Sequence, residues 1–308
     1  MWSTTAPQAW VRITPDNEEL LVPMTVCDSL PGGYVMLARI ALDAVRPHTA
    51  YVFKVQLAPG VMRWLSADGE HARSPGQQVH FKWVHEAPPT WVKEQVFYQV
   101  FPDRFRCGDS SLNVADGAYH YLGERPVRAR EWSDEPQAAD GANEFFHGDL
   151  PGVIEALPYL QDTLGVTALY LNPVFRSDSN HKYDTIDFKQ VDVTLGGDQA
   201  LVDLRAETEQ RGMRLLLDGV LNHTSVLHEW FVRAQTGEVP FKDFYMIADD
   251  GSYVSWKGHA SLPVLDYGST EVVDRCYAAD DSILRHWLRP PYAIDGWRLD
   301  VIHMLGEG

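Results

Sequence analysis

Between residues 150 and 302 the sequence repeats one phrase three times: apolar residues at helical spacing, a short loop, an apolar run, and a polar side chain where the run ends. In PGVIEALPYLQDTLG (151–165), Val153, Ile154, Leu157, Leu160 and Leu164 recur at helical spacing, and Gly165 stands where a helix would be capped. VTALYLNP (166–173) then reads as a buried strand. Asp198 is positioned to N-cap QALVDLRAETEQR, Gly212 to end it, and MRLLLDGV (213–220) follows as a strand. The third round runs from EVVDRCYAADDSILRHWL (271–288), read as one helix, to AIDGWRLDVI (293–302). An earlier apolar run, VFYQVF (96–101), supplies a further strand. Such alternation means βαβ connections and a parallel sheet. A doubly wound sheet and a (β/α)8 barrel both satisfy it. No GxGxxG or phosphate loop follows any strand, which weakens the first. Polar strand ends favour the barrel, whose chemistry lies at the C-terminal ends of its strands. Four strands between residues 91 and 308 make the first half of a TIM barrel.

Residues 1–88 follow a different grammar. LLVPMTV (20–26), YVMLARIAL (34–42), YVFKVQLA (51–58) and QVHFKWV (78–84) are short β-prone runs broken by PGG, RPH, APG and ADG. This spacing predicts an antiparallel β-sandwich. HEAPPT (85–90) is a Pro-rich joint between the two domains, 1–88 and 91–308.

The 308 residues carry 26 Lys+Arg against 43 Asp+Glu, a formal charge of −17. An acidic field repels phosphate, so neither nucleic acid nor an anionic membrane is an expected partner. Cys27, Cys107 and Cys276 are far apart and odd in number, and indicate neither a disulfide framework nor a metal cluster. The N-terminus lacks a basic segment followed by an apolar one, and no apolar run approaches the ~18 residues of a membrane span. A cytoplasmic location is therefore the expectation.

Polar groups at the four strand ends would converge on one rim: Gln99 and Asp103; Asn172, with His181, Tyr183 and Asp184 beyond it; Asp218, Asn222 and His223; and Arg298, Asp300 and His303. Strand alternation puts Arg298 and Asp300 on one side. An arginine beside a carboxylate keeps it ionised and orients it, as attack on an anomeric carbon requires. Any one of these residues also has an ordinary structural reading as a helix cap, ion pair or hydrogen-bonded histidine; their common rim carries the functional one. Tyr183, Trp230, Phe231, Phe244, Tyr245 and Trp256 fall in loops, where aromatics either pack or stack on the apolar faces of sugar rings.

The phrases VFYQVFPDRF (96–105), FFHGDLPGVIEALPYLQDTLGVTALYLNPVF (145–175), NHKYDTIDF (180–188), LLLDGVLNHT (215–224), SLPVLDY (261–267) and DGWRLDVIHMLGE (295–307) resemble glycoside hydrolase family 13, the α-amylase family. Within it the chain is most similar to the neopullulanase, cyclomaltodextrinase and maltodextrin glucosidase group, and WSDEP (132–136), SLPVLDY and VIHMLGE look most like the bacterial maltodextrin glucosidase branch. The resemblance implies retaining hydrolysis of α-1,4 bonds in maltodextrins, with a neopullulanase or cyclomaltodextrinase-type hydrolase, or a non-catalytic α-glucan-binding fragment, as alternatives. It implies that Asp300 is the nucleophile and Arg298 its orienting partner. His223 would bond the cleaved sugar, Tyr183 would stack on it, and His303, His181 and Asp184 would contact substrate. Asp218 and Asn222 would support the loop after the third strand, and 224–265 would be a small inserted subdomain. Relatives suggest a homodimer through the N-terminal domain. No cofactor is implied, although some relatives hold calcium where CGDSSLN (107–113), Gly148 and Asp149 lie here.

In the family the general acid is a Glu ending the fifth strand, and a His–Asp motif ends the seventh. The sequence in hand stops after the fourth. A retaining mechanism needs two carboxyl groups about 5–5.5 Å apart, and the resemblance supplies only Asp300.

Overall fold

The computed structural model describes residues 7–14, 18–41, 48–84, 89–137 and 141–304. The chain divides into two compact units, Met1–Glu94 and Gln95–Gly308. Of the expected joint at 85–90, residues 85–88 lie outside the described residues.

In the first unit, β1 (Gln8–Ile13), β2 (Leu20–Pro23), β5 (His48–Ala58), β6 (Val61–Ser66), β7 (Gly69–His71) and β8 (Phe81–Val84) form one antiparallel sheet. Its order is β2-β1-β5-β6-β7, with β8 also pairing β5. The chain between β2 and β5 forms a separate hairpin, β3 (Thr25–Leu30) with β4 (Gly33–Leu37), turning at Gly32, whose φ of 87° suits a residue without a side chain. Where an antiparallel β-sandwich is expected, the described residues form one six-stranded sheet and one two-stranded hairpin. β1 and β6 are not among the β-prone runs because polar residues interrupt their apolar ones, and β7, Gly-Glu-His, has no apolar run at all. In β1 only Ala9, Val11 and Ile13 turn inward. Tyr51, Phe53 and Phe81 pack ring against ring, with centroids 5.3–5.7 Å apart.

The second unit is built on four parallel strands, β9 (Phe97–Val100), β10 (Ala168–Leu171), β11 (Arg214–Gly219) and β12 (Gly296–Leu299), side by side in chain order. Alternation gives each strand two faces. Leu169, Leu171, Leu215 and Leu217 are fully buried with Leu157, Leu160, Leu201, Leu204 and Trp287 in one core under the helices. Tyr170, Asp218 and Arg298 point the other way, into what would be the barrel interior.

The helices depart from expectation at their ends. α1 (Leu150–Pro158) begins at Asp149, whose side chain accepts from Gly152 N at 2.6 Å, and widens into a turn over Tyr159–Thr163 before Gly165, with φ of 70°. α2 (Gly197–Gln210) is not capped by Asp198. Gly196 is its N-cap, with φ of 101°, and Asp198 lies in the first turn, accepting from Val191 N. The single helix expected over 271–288 is two short pieces, α4 (Thr270–Val273) and α5 (Ile283–Trp287), separated by a wide turn and by Ala279–Ser282. Consecutive Asp280 and Asp281 followed by Ser282 are weak helix formers that favour a break. α3 (Glu229–Gln235) lies in the 224–265 insert, which closes on itself where Thr224 N donates to Pro263 O and Leu265 N to Asn222 O.

Candidate active site

The site starts from strand register. Asp218 on β11 and Arg298 on β12 are directly opposed. Arg298 Nη1 donates to both Asp218 oxygens, at 3.0 and 3.1 Å, and to Asp300 Oδ1 at 2.5 Å. Two phenols complete the cluster: Tyr170 and Tyr183 donate to Asp218 Oδ2 at 2.6 and 3.0 Å. Burial pushes the Asp218 carboxyl above its ordinary pKa, opposed by the hydrogen bonds from Tyr170, Arg298 and Tyr183. Burial and the adjacent Asp218 charge push both phenols up, so they remain donors at neutral pH.

Above this cluster lies a cleft of about 430 Å³ whose walls include Asp300, Tyr183, His181, His223, Trp256 and His259. His223 is buried, with its ring 5.8 Å from that of Trp256. Burial lowers its pKa, against the pull of the Asp300 charge, so the ring is neutral near pH 7. His181 Nδ1 accepts from Tyr183 N at 3.1 Å, and the two rings lie 5.9 Å apart. Asn222 is buried and sets its amide nitrogen 3.2 Å from His223 Nδ1.

Other residues lie elsewhere. Asp184 is buried away from the cleft wall and accepts from Ser177 Oγ at 2.7 Å and from Ser179 Oγ. Asp103 is buried too, its oxygens taken by Phe146 N, His147 N and Arg104 Nε. Gln99 donates to Asn172 at 2.7 Å. His303 lies in the short turn Ile302–Met304, two residues past Val301, and its side chain is outside the described residues. Of the aromatics expected in loops, Trp230 and Phe231 lie instead on α3; Phe231, Phe244 and Tyr245 are core residues, with Trp230 packed against them. His259 and Leu262 of the insert also line the cleft, as do Tyr121 and Arg125, which carried no sequence signal because 102–148 has no periodicity to place them.

The carboxylates of the loop after β9 are engaged by nearby donors. Asp149 Oδ1 accepts from Gly108 N and Gly152 N, and Oδ2 from Asp109 N. Asp109 Oδ1 accepts from Ser111 N and Oγ. Among the described residues no group of three or more His, Cys, Asp or Glu converges.

A family profile described as the α-amylase catalytic domain matches residues 99–308. The intracellular maltogenic amylase of Bacillus subtilis is 38% identical over 231 residues, covering 72% of this chain and 36% of the relative. Neopullulanase 2 of Thermoactinomyces vulgaris is 33% identical over 275 residues, covering 84% of this chain and 43% of the relative. A solved cyclomaltodextrinase superposes with a TM-score of 0.62 at 28% identity, over 97% of this chain and 51% of that one. The chain therefore spans less than half the length of these two curated relatives. The names are those of the alternative reading, the neopullulanase and cyclomaltodextrinase type, rather than of maltodextrin glucosidase. With more than half of its residues matched and an Asp–Arg–Asp cluster at the C-terminal ends of its parallel strands, the chain belongs to the α-amylase family.

Proposed function

We propose that this chain carries the nucleophile-bearing part of a retaining α-glucan hydrolase of the neopullulanase or cyclomaltodextrinase type, acting on α-1,4 bonds of maltodextrins. The observation that carries the reading is the short ion pair from Arg298 to Asp300 at the cleft floor. Arg298 is itself fixed by Asp218, so Asp300 is oriented by a group that cannot swing away.

In this reading a glucose unit sits against Tyr183 and His223, with its anomeric carbon over Asp300. The Asp300 oxygen forms a bond to that carbon as the glycosidic bond breaks, giving a covalent glycosyl ester. The departing oxygen must take a proton, and water must later be deprotonated to release the sugar. Both steps need a second carboxyl group. Asp300 is the one carboxylate among the described residues of the cleft wall. That observation favours a second reading for the chain taken alone, a glucan-binding unit that orients sugar without cleaving it.

Titration calorimetry with maltotriose, followed by chromatography of the sugars, separates these readings. Saturable binding that survives Asp300→Asn is expected. In a polypeptide that also holds the second carboxyl group, the same substitution should abolish hydrolysis. Lack of binding, or turnover unchanged by Asp300→Asn, would overturn the proposal. With maltotetraose as substrate, release of glucose and maltotriose rather than two maltoses would favour the glucosidase-type activity.

A further inference from the structure

One wall of the cleft comes from outside the barrel strands. His120–Tyr121 and Arg125–Pro126 form a tight antiparallel hairpin, with His120 opposite Pro126 and Tyr121 opposite Arg125. Its turn uses left-handed backbone at Leu122 and Gly123, with φ of 53° and 75°. Directly opposed residues emerge on the same face of a hairpin. The Arg125 guanidinium accordingly lies 5.1 Å from the Tyr121 ring centroid.

The hairpin is rooted rather than loose. Tyr121 is 4% exposed, and burial with the charge of Asp184 beside its hydroxyl pushes its pKa up. Asp184 is in turn gripped by Ser177 and Ser179, in the loop that carries His181 and Tyr183. The strands continue downward through Val127 N to Tyr119 O, at 3.0 Å, and rest on a small core of Val114, Val127 and Phe145. Arg125 is thus an exposed side chain on a fixed mount.

Among the described residues of the cleft wall, Arg125 is the one lysine or arginine and Asp300 the one carboxylate. A guanidinium offers a planar fork of donors that suits neighbouring hydroxyls on a sugar ring. Arg298 already sets one guanidinium beside Asp300, whereas Arg125 stands on a separate hairpin of the cleft wall. The place for it is therefore a neighbouring sugar.

Resting on the α-glucan reading above, we propose that Arg125 is a substrate-positioning residue that hydrogen-bonds the hydroxyls of a sugar adjacent to the one over Asp300. The contact gives the cleft a preference for chains over single sugars.

Calorimetric titration of the chain with glucose and with maltotriose tests this. The variants are Arg125→Ala and Arg125→Met; Met keeps the aliphatic contact with Tyr121 and removes only the donors. Near-ultraviolet circular dichroism verifies that each variant is folded. Both variants are expected to bind maltotriose about tenfold more weakly or worse, as loss of a hydrogen bond from a charged donor implies, while glucose binding changes by less than about twofold. Unchanged maltotriose binding, or an equal loss for glucose and maltotriose, would overturn the role of Arg125 and leave the cleft assignment standing. Absence of saturable maltotriose binding by the unmodified chain would overturn the cleft assignment, and the role of Arg125 with it.

Discussion

Asp218 and Arg298 face one another across adjacent parallel strands, and a single guanidinium nitrogen of Arg298 reaches both Asp218 oxygens and Asp300 Oδ1. Asp218 has a fully buried side chain, so removing its cation strands a carboxylate. Arg298→Met is expected to lower stability by about 2–4 kcal/mol. This is less than the full cost of breaking a buried pair, because the Arg298 side chain is 42% exposed. Urea unfolding measures it. Arg298→Lys should recover only part, since an ammonium is more strongly hydrated than a guanidinium and is costlier to bring against the buried carboxylate. A midpoint unmoved in the Met variant would contradict the clamp.

A second buried pair lies behind the cleft. Lys182 Nζ is 3.0 Å from Asp192 Oδ2, with side chains 1% and 5% exposed. Burial alone would raise the Asp192 pKa, but Lys182, Thr194 and Ser177 together hold it below the ordinary carboxylate value. Lys182→Met should cost about 3–5 kcal/mol. The double variant Lys182→Met/Asp192→Asn should cost less than the sum of the two single changes, because the charge left uncompensated by the first is gone. Strict additivity in a double-mutant cycle would contradict this.

Acid should destabilise the second unit through buried histidines. His228 Nδ1 accepts from Trp230 N at 3.0 Å, capping α3, and burial pushes its pKa down to about 3. Unfolded histidine titrates near ~6.5, so between these values the unfolded chain binds the extra proton. The contribution is complete above pH ~6.5 and declines as pH falls towards 3, by at most ~1.4 kcal/mol per pH unit. Burial lowers His181 and His223 as well, in the same sense. His228→Asn keeps a capping acceptor and should flatten the stability-against-pH slope between pH 4 and 6 by about one proton. An unchanged slope would refute the assignment.

Asp149 holds three backbone N–H groups, from Gly108, Asp109 and Gly152, with its side chain fully buried. Asp149→Ala should cost about 2–4 kcal/mol, from a lost cap and orphaned buried donors. The cost should be the same with calcium or with chelator. A melting midpoint that rises with added calcium in the unmodified chain, and not in the variant, would show that the loop does hold the ion.

The barrel strands after the first were legible because an apolar run gives way to a glycine or a polar residue, as in RLLLDG (214–219). Strand alternation alone put Arg298 and Asp300 on one side. What escaped had no period to betray it. Tyr121 and Arg125 reach the cleft through a hairpin fixed by contacts with Asp184 and Phe145, which are distant in sequence. Asp184 looked like a site residue by its neighbours in NHKYDTIDF, yet it is buried beneath them. Helix ends failed where two glycines in left-handed backbone, Gly196 and Gly197, displaced a good capping residue, Asp198.

The Asp218–Arg298–Asp300 cluster also has a tally of formal charge. Two carboxylates and one guanidinium leave a single negative charge facing the cleft. Should Asp300 become an ester, the remainder is a neutral ion pair. The field is attractive while the sugar carbon is electron-poor and fades once the bond has formed. Tyr170, Tyr183 and Arg298 donate to Asp218 in either condition, so the change requires no proton to move within the cluster.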